Sequence, residues 1–234
     1  MVLEQVEQRR HRQHPRRPAP EPRLGGEVYN LEYYVGKAKE LEAMGADSIC
    51  IKDMAGLIAP YDAYALVKAL KAAVKLPIHL HSHFTSGMAS MSQLKAIEAG
   101  VDILDTCMTP YAYRTSHPAV EPLVMTLIGT DRDTGFDIHQ LAAINEVLEK
   151  QVMPKYKHLL DDSKISIIDI NVLLHQTPGG MLSNLVSQLR EMDALDKIDD
   201  VYKDMAFLLK HPDAPPSLGW LHYIGNGFTL MNQA

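Results

Sequence analysis

The stretch Leu76-Pro-Ile-His-Leu-His-Ser-His83 alternates aliphatic residues at 78 and 80 with imidazoles at 79, 81 and 83. Successive side chains of a strand point to opposite sides, so the alternation predicts a β-strand with one apolar and one imidazole-bearing face. Two similar runs flank it: Asp47-Ser-Ile-Cys-Ile-Lys-Asp53 before, and Val101-Asp-Ile-Leu-Asp-Thr-Cys-Met108 after. Between the runs, helical spacing predicts helices near 61–74 and 90–99, the second stopped by Gly100. Ahead of them, Leu31, Tyr34, Val35, Ala38, Leu41 and Met44 recur at helical intervals, with Asn30 as N-cap and Gly45 as the terminating glycine. Strands and helices alternating at about 25–30 residues predict an α/β fold with a parallel sheet. Ligands of such sheets sit at the carboxyl ends of the strands. Polar residues gather there: Lys52 and Asp53, His81 and His83, Asp105 and Thr106.

Beyond about Thr130 the alternation ceases. Ile138–Val152 reads as a helix that should end before Pro154, a second begins at Gly179-Gly-Met-Leu-Ser-Asn-Leu, and Leu195–Leu209 has helical spacing. The simplest organisation is a core over 30–130 and a helical subdomain over 131–204 that covers the strand ends. Residues 1–29 hold Arg9, Arg10, Arg12, Arg16, Arg17 and Arg23 with four prolines, which predicts a disordered basic tail. Residues 205–234 have no clear period and read as an irregular tail.

Of the 234 residues, 46% are hydrophobic and 22% charged, which excludes a wholly disordered chain. A net charge of −6 disfavours nucleic acid as a partner. No aromatic residue interleaves the arginines of the basic tail to stack bases. No apolar run has the length of a transmembrane helix, and the first residues do not read as a secretion signal. Cys50 and Cys107 match neither a disulfide framework nor a zinc spacing. A soluble cytoplasmic protein is expected.

His79, His81 and His83 share one strand face, each about 6.5–7 Å from the next. Imidazoles in that register at a strand end point to a divalent cation; polar filling of a barrel interior is the alternative. Lys52 ends a buried strand and needs a carboxylate partner or a lowered basicity. A deprotonated lysine can react with carbon dioxide to give a carbamate, a metal-binding carboxylate, but on spacing alone an ordinary ion pair is favoured. Gly179 and Gly180 offer backbone amides to an anion or carbonyl oxygen, or else form a structural turn, and Ser183 follows in the same helix.

Three segments together resemble a known family: Asp47-Ser-Ile-Cys-Ile-Lys-Asp-Met-Ala-Gly-Leu57, His79-Leu-His-Ser-His-Phe-Thr-Ser-Gly-Met-Ala89 and His175-Gln-Thr-Pro-Gly-Gly-Met-Leu-Ser-Asn-Leu185. They are similar, in the same order, to the carboxyltransferase domain of biotin-dependent enzymes, which includes pyruvate carboxylase, oxaloacetate decarboxylase and transcarboxylase. The resemblance runs from about Asn30 to Asp204. It implies the carboxyl-terminal part of a TIM barrel, about three βα units, followed by a helical subdomain. It further implies a divalent metal (zinc, manganese or cobalt) held by a carbamylated Lys52 with His81 and His83. Ser183 stands where the family shuttles a proton between biotin and a keto acid, beside Gly179 and Gly180. Biotin would arrive on another domain or subunit, so a biotinylated carrier and a biotin carboxylase are the implied partners, in a homo-oligomeric parent enzyme.

The family's earlier strands, with a metal-binding aspartate and an arginine for the keto acid, find no match in residues 1–29. The expectation is therefore a fragment of a carboxyltransferase exchanging a carboxyl group between carboxybiotin and pyruvate or oxaloacetate. An aldolase- or lyase-type metal barrel and a truncated inactive product are the alternatives.

Overall fold

The computed structural model describes residues 2–5, 30–159, 168–170, 172–175, 179–201 and 204. In chain order the principal elements are β1 (Val2–Gln5), α1 (Leu31–Ala43), β2 (Ile49–Asp53), α2 (Pro60–Ala73), β3 (Ile78–Ser82), α3 (Ala89–Glu98), β4 (Ile103–Leu104), α4 (Val120–Leu127), α5 (Ile138–Val147), α6 (Met153–Tyr156), α7 (Val172–His175) and α8 (Gly179–Glu191). The sheet order is β1-β2-β3-β4, with β2, β3 and β4 parallel and β1 antiparallel to β2. The parallel α/β core expected from the alternation is present. No helix among the described residues is long and apolar enough to cross a membrane.

The helices form because their apolar residues fall on one stripe. In α2 that stripe is Ala63, Leu66, Val67 and Leu70, all fully buried. It packs on Ile49, Ile51, Ile78 and Leu80, which the two-residue period of β2 and β3 turns to the same side. Asn30 caps α1, its Oδ1 accepting from the Tyr33 amide at 3.0 Å. Gly45 and Gly100 end α1 and α3 with φ of +86° and +94°.

The opposite sheet face is polar. Lys52 lies in register with His81, and Cys50 with His79. Apolar burial on one side therefore obliges the basic residues onto the other.

Three expectations need correction. Val2–Gln5, placed by composition in a disordered tail, pairs along the edge of β2, whose amides and carbonyls would otherwise lack partners. The strand expected over 101–108 reduces to Ile103–Leu104 beside β3, with a separate parallel bridge from Cys107 to Ala119. Its flanking aspartates still donate their amides to the Ile78 and Leu80 carbonyls at 2.9 and 3.2 Å, while their side chains act outside the ladder: Asp102 accepts from the Ile78 amide at 2.7 Å and from Lys71 at 2.8 Å, and Asp105 turns to two histidines. Lastly, the helix from Ile138 does not end before Pro154. A wider π-helical turn over Leu148–Val152 resets the hydrogen bonding, and Pro154 then falls at the start of α6, where its missing N–H is harmless.

The chain after 159 reaches the strand ends. Val172 of α7 is fully buried against Ala55 and Leu57, and the Asp169 amide donates to the Thr85 carbonyl at 2.9 Å. The segment Leu195–Leu209 is helical at Leu195–Lys197, through 201 and at 204; its other residues, like most of 1–29 and all of 205–234, lie outside the described residues.

One glycine controls the approach of two loops. Gly56 adopts φ +69°, and a Cβ there would be driven into the His83 carbonyl. The left-handed backbone alone costs a non-glycine residue about 1–2 kcal/mol. Gly56→Ala is expected to lower stability by at least that amount, measured by chemical denaturation, and to weaken metal uptake by shifting His83. An unchanged denaturation midpoint would contradict the packing described here.

A candidate metal centre at the strand ends

Asp53, the last residue of β2, is fully buried on the helix-facing side, away from Lys52, as strand alternation requires. Its carboxylate accepts from the Leu57 and Ile58 amides at 2.8 and 3.0 Å and from the Ser82 hydroxyl at 2.9 Å. These bonds pin the turn after β2 to the end of β3. The backbone of His83 is tied to the same residue, its amide donating to the Asp53 carbonyl at 3.0 Å.

On the polar face, Asp105 joins two of the three strand histidines. His79 Nε2 lies 2.8 Å from Asp105 Oδ1, and His81 Nδ1 lies 2.6 Å from Oδ2. His83 Nδ1 lies 2.5 Å from the Thr115 carbonyl. An ionised carboxylate and a carbonyl only accept, so each of these ring nitrogens carries its proton. His81 and His83 are thereby left with bare Nε2 atoms, and those two nitrogens face each other at 3.2 Å. Two lone pairs at that distance repel unless a cation lies between or beside them.

Protonation is a poor remedy. Burial is the main cause that lowers the His81 pKa, with the neighbouring His117 and Lys52 charges acting in the same direction against the Asp105 hydrogen bond. Burial also dominates in lowering His83, against the bond to the Thr115 carbonyl. The donor set therefore fits a divalent cation. For Asp105, burial alone would raise the pKa, but the hydrogen bonds from His81 and His79 outweigh it and the net direction is down. It remains a carboxylate able to orient both rings.

The two lowered histidines predict a pH dependence. Between their folded-state pKa values and the ordinary value of 6.5, the unfolded chain binds protons that the folded chain refuses. Stability must then rise with pH through this window, and the loss is complete once the pH lies below it. Denaturation midpoints of the metal-free protein are expected to be lower at about pH 5 than at pH 7.5, the window following from an unperturbed His pKa near 6.5. Equal midpoints would contradict the burial of these rings.

Of the expected ligands, the structure brings His81 and His83 together and sets Lys52 one strand away, in register with His81. His79 does not join them, since its Nε2 is committed to Asp105. Gly179, Gly180 and Ser183 fall in the opening turns of α8, but the Ser183 side chain lies outside the described residues.

Sequence reasoning missed His117. One ring nitrogen each from His81, His83 and His117 lie within 4.8 Å of one another. His117 reaches this place from the loop after β4, where Tyr113 and Arg114 both adopt left-handed backbone with φ of 68° and 56°. Such conformations are costly for side-chain-bearing residues and concentrate at functional loops. The turn is fastened by bonds from the Tyr113 amide to the His117 carbonyl (2.7 Å) and from the Phe84 amide to the Ser116 carbonyl (2.7 Å). A single histidine before Pro118 carries no periodicity that would have marked it.

Known proteins match the chain across this site and beyond it. Residues 28–148 match the HMGL-like family model, and residues 172–211 match the conserved carboxylase domain. A pyruvate carboxylase subunit of Methanocaldococcus jannaschii is 52% identical over 190 residues, covering 81% of this chain and 33% of that protein. The 2-oxoglutarate carboxylase large subunit of Hydrogenobacter thermophilus is 39% identical over 193 residues, covering 82% of this chain and 29% of that one. Among solved structures, the carboxyl transferase domain of Rhizobium etli pyruvate carboxylase with pyruvate and biocytin superposes with a TM-score of 0.74 at 37% identity, over 82% of this chain and 33% of the other. The chain thus spans about a third of the length of the relatives it matches.

Proposed function

This chain belongs to the HMGL-like family, and from that premise we propose that it carries the metal-binding strands of a biotin-dependent carboxyltransferase. The substrate class is a small 2-oxo acid of the pyruvate and oxaloacetate type. The observation that carries this reading is the pair of bare Nε2 atoms of His81 and His83, 3.2 Å apart at the carboxyl end of β3. Lys52 is the third ligand in this reading, as a carbamate, entering from the neighbouring strand opposite His81. A divalent ion held there supplies Lewis-acid polarisation of the keto group and stabilises the charge that develops when the adjacent carbon loses its proton.

The chain's own residues then have distinct tasks. Asp105 holds His81 in the tautomer that presents Nε2. Asp53 fixes the two loops that flank the site. Ser183 on α8 moves a proton between the keto acid and biotin, and the amides of Gly179 and Gly180 at the start of that helix receive an oxygen of either. The match of residues 172–211 to the conserved carboxylase domain supports carboxyl transfer over an aldol- or lyase-type reaction. The fold in this reading is about three βα units of a TIM barrel capped by a helical subdomain, in a cytoplasmic homo-oligomer. A biotin carboxylase and a biotinylated carrier are the partners.

The test is metal-linked substrate binding. Calorimetric titration of the zinc- or manganese-loaded chain with pyruvate and with oxaloacetate is expected to give binding heats. The metal-free chain and His81→Ala are expected to give none. A metal-loaded chain that binds neither keto acid would overturn the proposed substrate class.

A further inference from the structure

We infer that His117 is a third imidazole ligand, joining His81, His83 and the Lys52 carbamate proposed above, so that imidazole nitrogen dominates the set and the site favours zinc or cobalt over manganese. The inference rests on the metal site proposed above and deepens it. The decisive feature is that all three rings are held in the same way. His117 Nδ1 lies 3.0 Å from the Ser82 carbonyl, which can only accept, so this nitrogen carries the proton. His81 and His83 are fixed likewise through Nδ1, by Asp105 and by the Thr115 carbonyl. Each ring therefore keeps Nε2 free, and the cluster places one ring nitrogen from each within 4.8 Å of the other two.

Purely structural histidines would satisfy one another, donor to acceptor. These three cannot, because every N–H is directed outward to an oxygen. The rings crowd nonetheless: the His117 centroid lies 4.5 Å from that of His81 and 4.6 Å from that of His83. Outward N–H groups on fixed acceptors and inward lone pairs are the arrangement by which proteins present imidazole to a metal. Nitrogen-rich sets of this kind suit zinc and cobalt, whereas manganese and magnesium prefer carboxylate, carbonyl and water oxygens.

X-ray absorption at the zinc edge of the zinc-loaded full chain counts imidazoles without any substitution, and three are expected. Two would overturn the inference and leave the His81 and His83 reading intact. Zinc competition titrations add a second readout. His117→Ala and His117→Gln are each expected to lose at least about tenfold in affinity, the lower bound for disturbing even the supports of a ligand. His139→Ala, at an exposed histidine that is not part of the cluster, is expected to match the wild type. Unchanged affinity in both His117 variants, or tighter binding of manganese than of zinc and cobalt by the wild type, would refute the three-imidazole set. Failure of the wild type to take up any of the three metals would refute this inference and the proposed metal site together.

Discussion

Replacing Asp53 with alanine is expected to lower the stability of the chain by about 3–5 kcal/mol, a large share of the 5–15 kcal/mol that a folded domain possesses. The carboxylate is fully buried and accepts from two backbone amides and one hydroxyl. A hydroxyl can rotate toward another acceptor, but the Leu57 and Ile58 amides cannot. Leaving each of them unsatisfied costs about 1–3 kcal/mol, and the cavity left by the side chain adds to this. Asp53→Asn keeps one accepting oxygen but turns an NH2 group toward a donor, so its loss should be smaller. Denaturant titration followed by circular dichroism measures both. An Asp53→Ala midpoint equal to the wild type would mean that the turn after β2 is held by something else.

The same residue shows what the sequence could and could not disclose. Alternation in Ser48-Ile-Cys-Ile-Lys-Asp53 places Lys52 and Asp53 on opposite faces, and they are so placed. That Asp53 would cap a turn and bind Ser82 depends on the pairing of β2 with β3, which no local pattern encodes. Helices α1, α2 and α3 were legible because their stripes and stops are local: Asn30, Gly45 and Gly100 each act within a few residues. β4 is shorter than its apolar run suggests because the Asp102 carboxylate takes the Ile78 amide at its start and the chain pairs Cys107 with Ala119 beyond its end.

The site divides along the same line. His81 and His83 could be read from a two-residue period, since one strand carries both. His117 could not, because its approach depends on a loop bent by Tyr113 and Arg114, two residue types that seldom take left-handed backbone. Only the family resemblance singles out His81 and His83, and spacing alone makes His79 equivalent to its neighbours. Its distinction from them is made by Asp105, which follows β4 and binds the His79 nitrogen that would otherwise be free.

Asp105 should therefore control metal affinity without being a ligand. Asp105→Ala is expected to weaken zinc binding by about 10–100-fold, the usual cost of losing a carboxylate that orients a metal-ligating histidine, or about 1.4–2.7 kcal/mol at 1.36 kcal/mol per decade. The reason is tautomeric. Without the acceptor 2.6 Å from its Nδ1, His81 can place its proton on Nε2 and so withdraw the lone pair that faces His83. Asp105→Asn retains one oxygen for one ring but offers the other an N–H, so its loss should lie toward the lower end of that range. His79→Ala removes only the second partner of Asp105 and should weaken binding less than either. Competition titration gives the affinities, and nitrogen-15 chemical shifts of the His81 ring report directly which nitrogen is protonated. If His79→Ala proved the most damaging of the three, the ligand face would have to be redrawn around the three strand histidines, with Asp105 as their shared partner and His117 outside it.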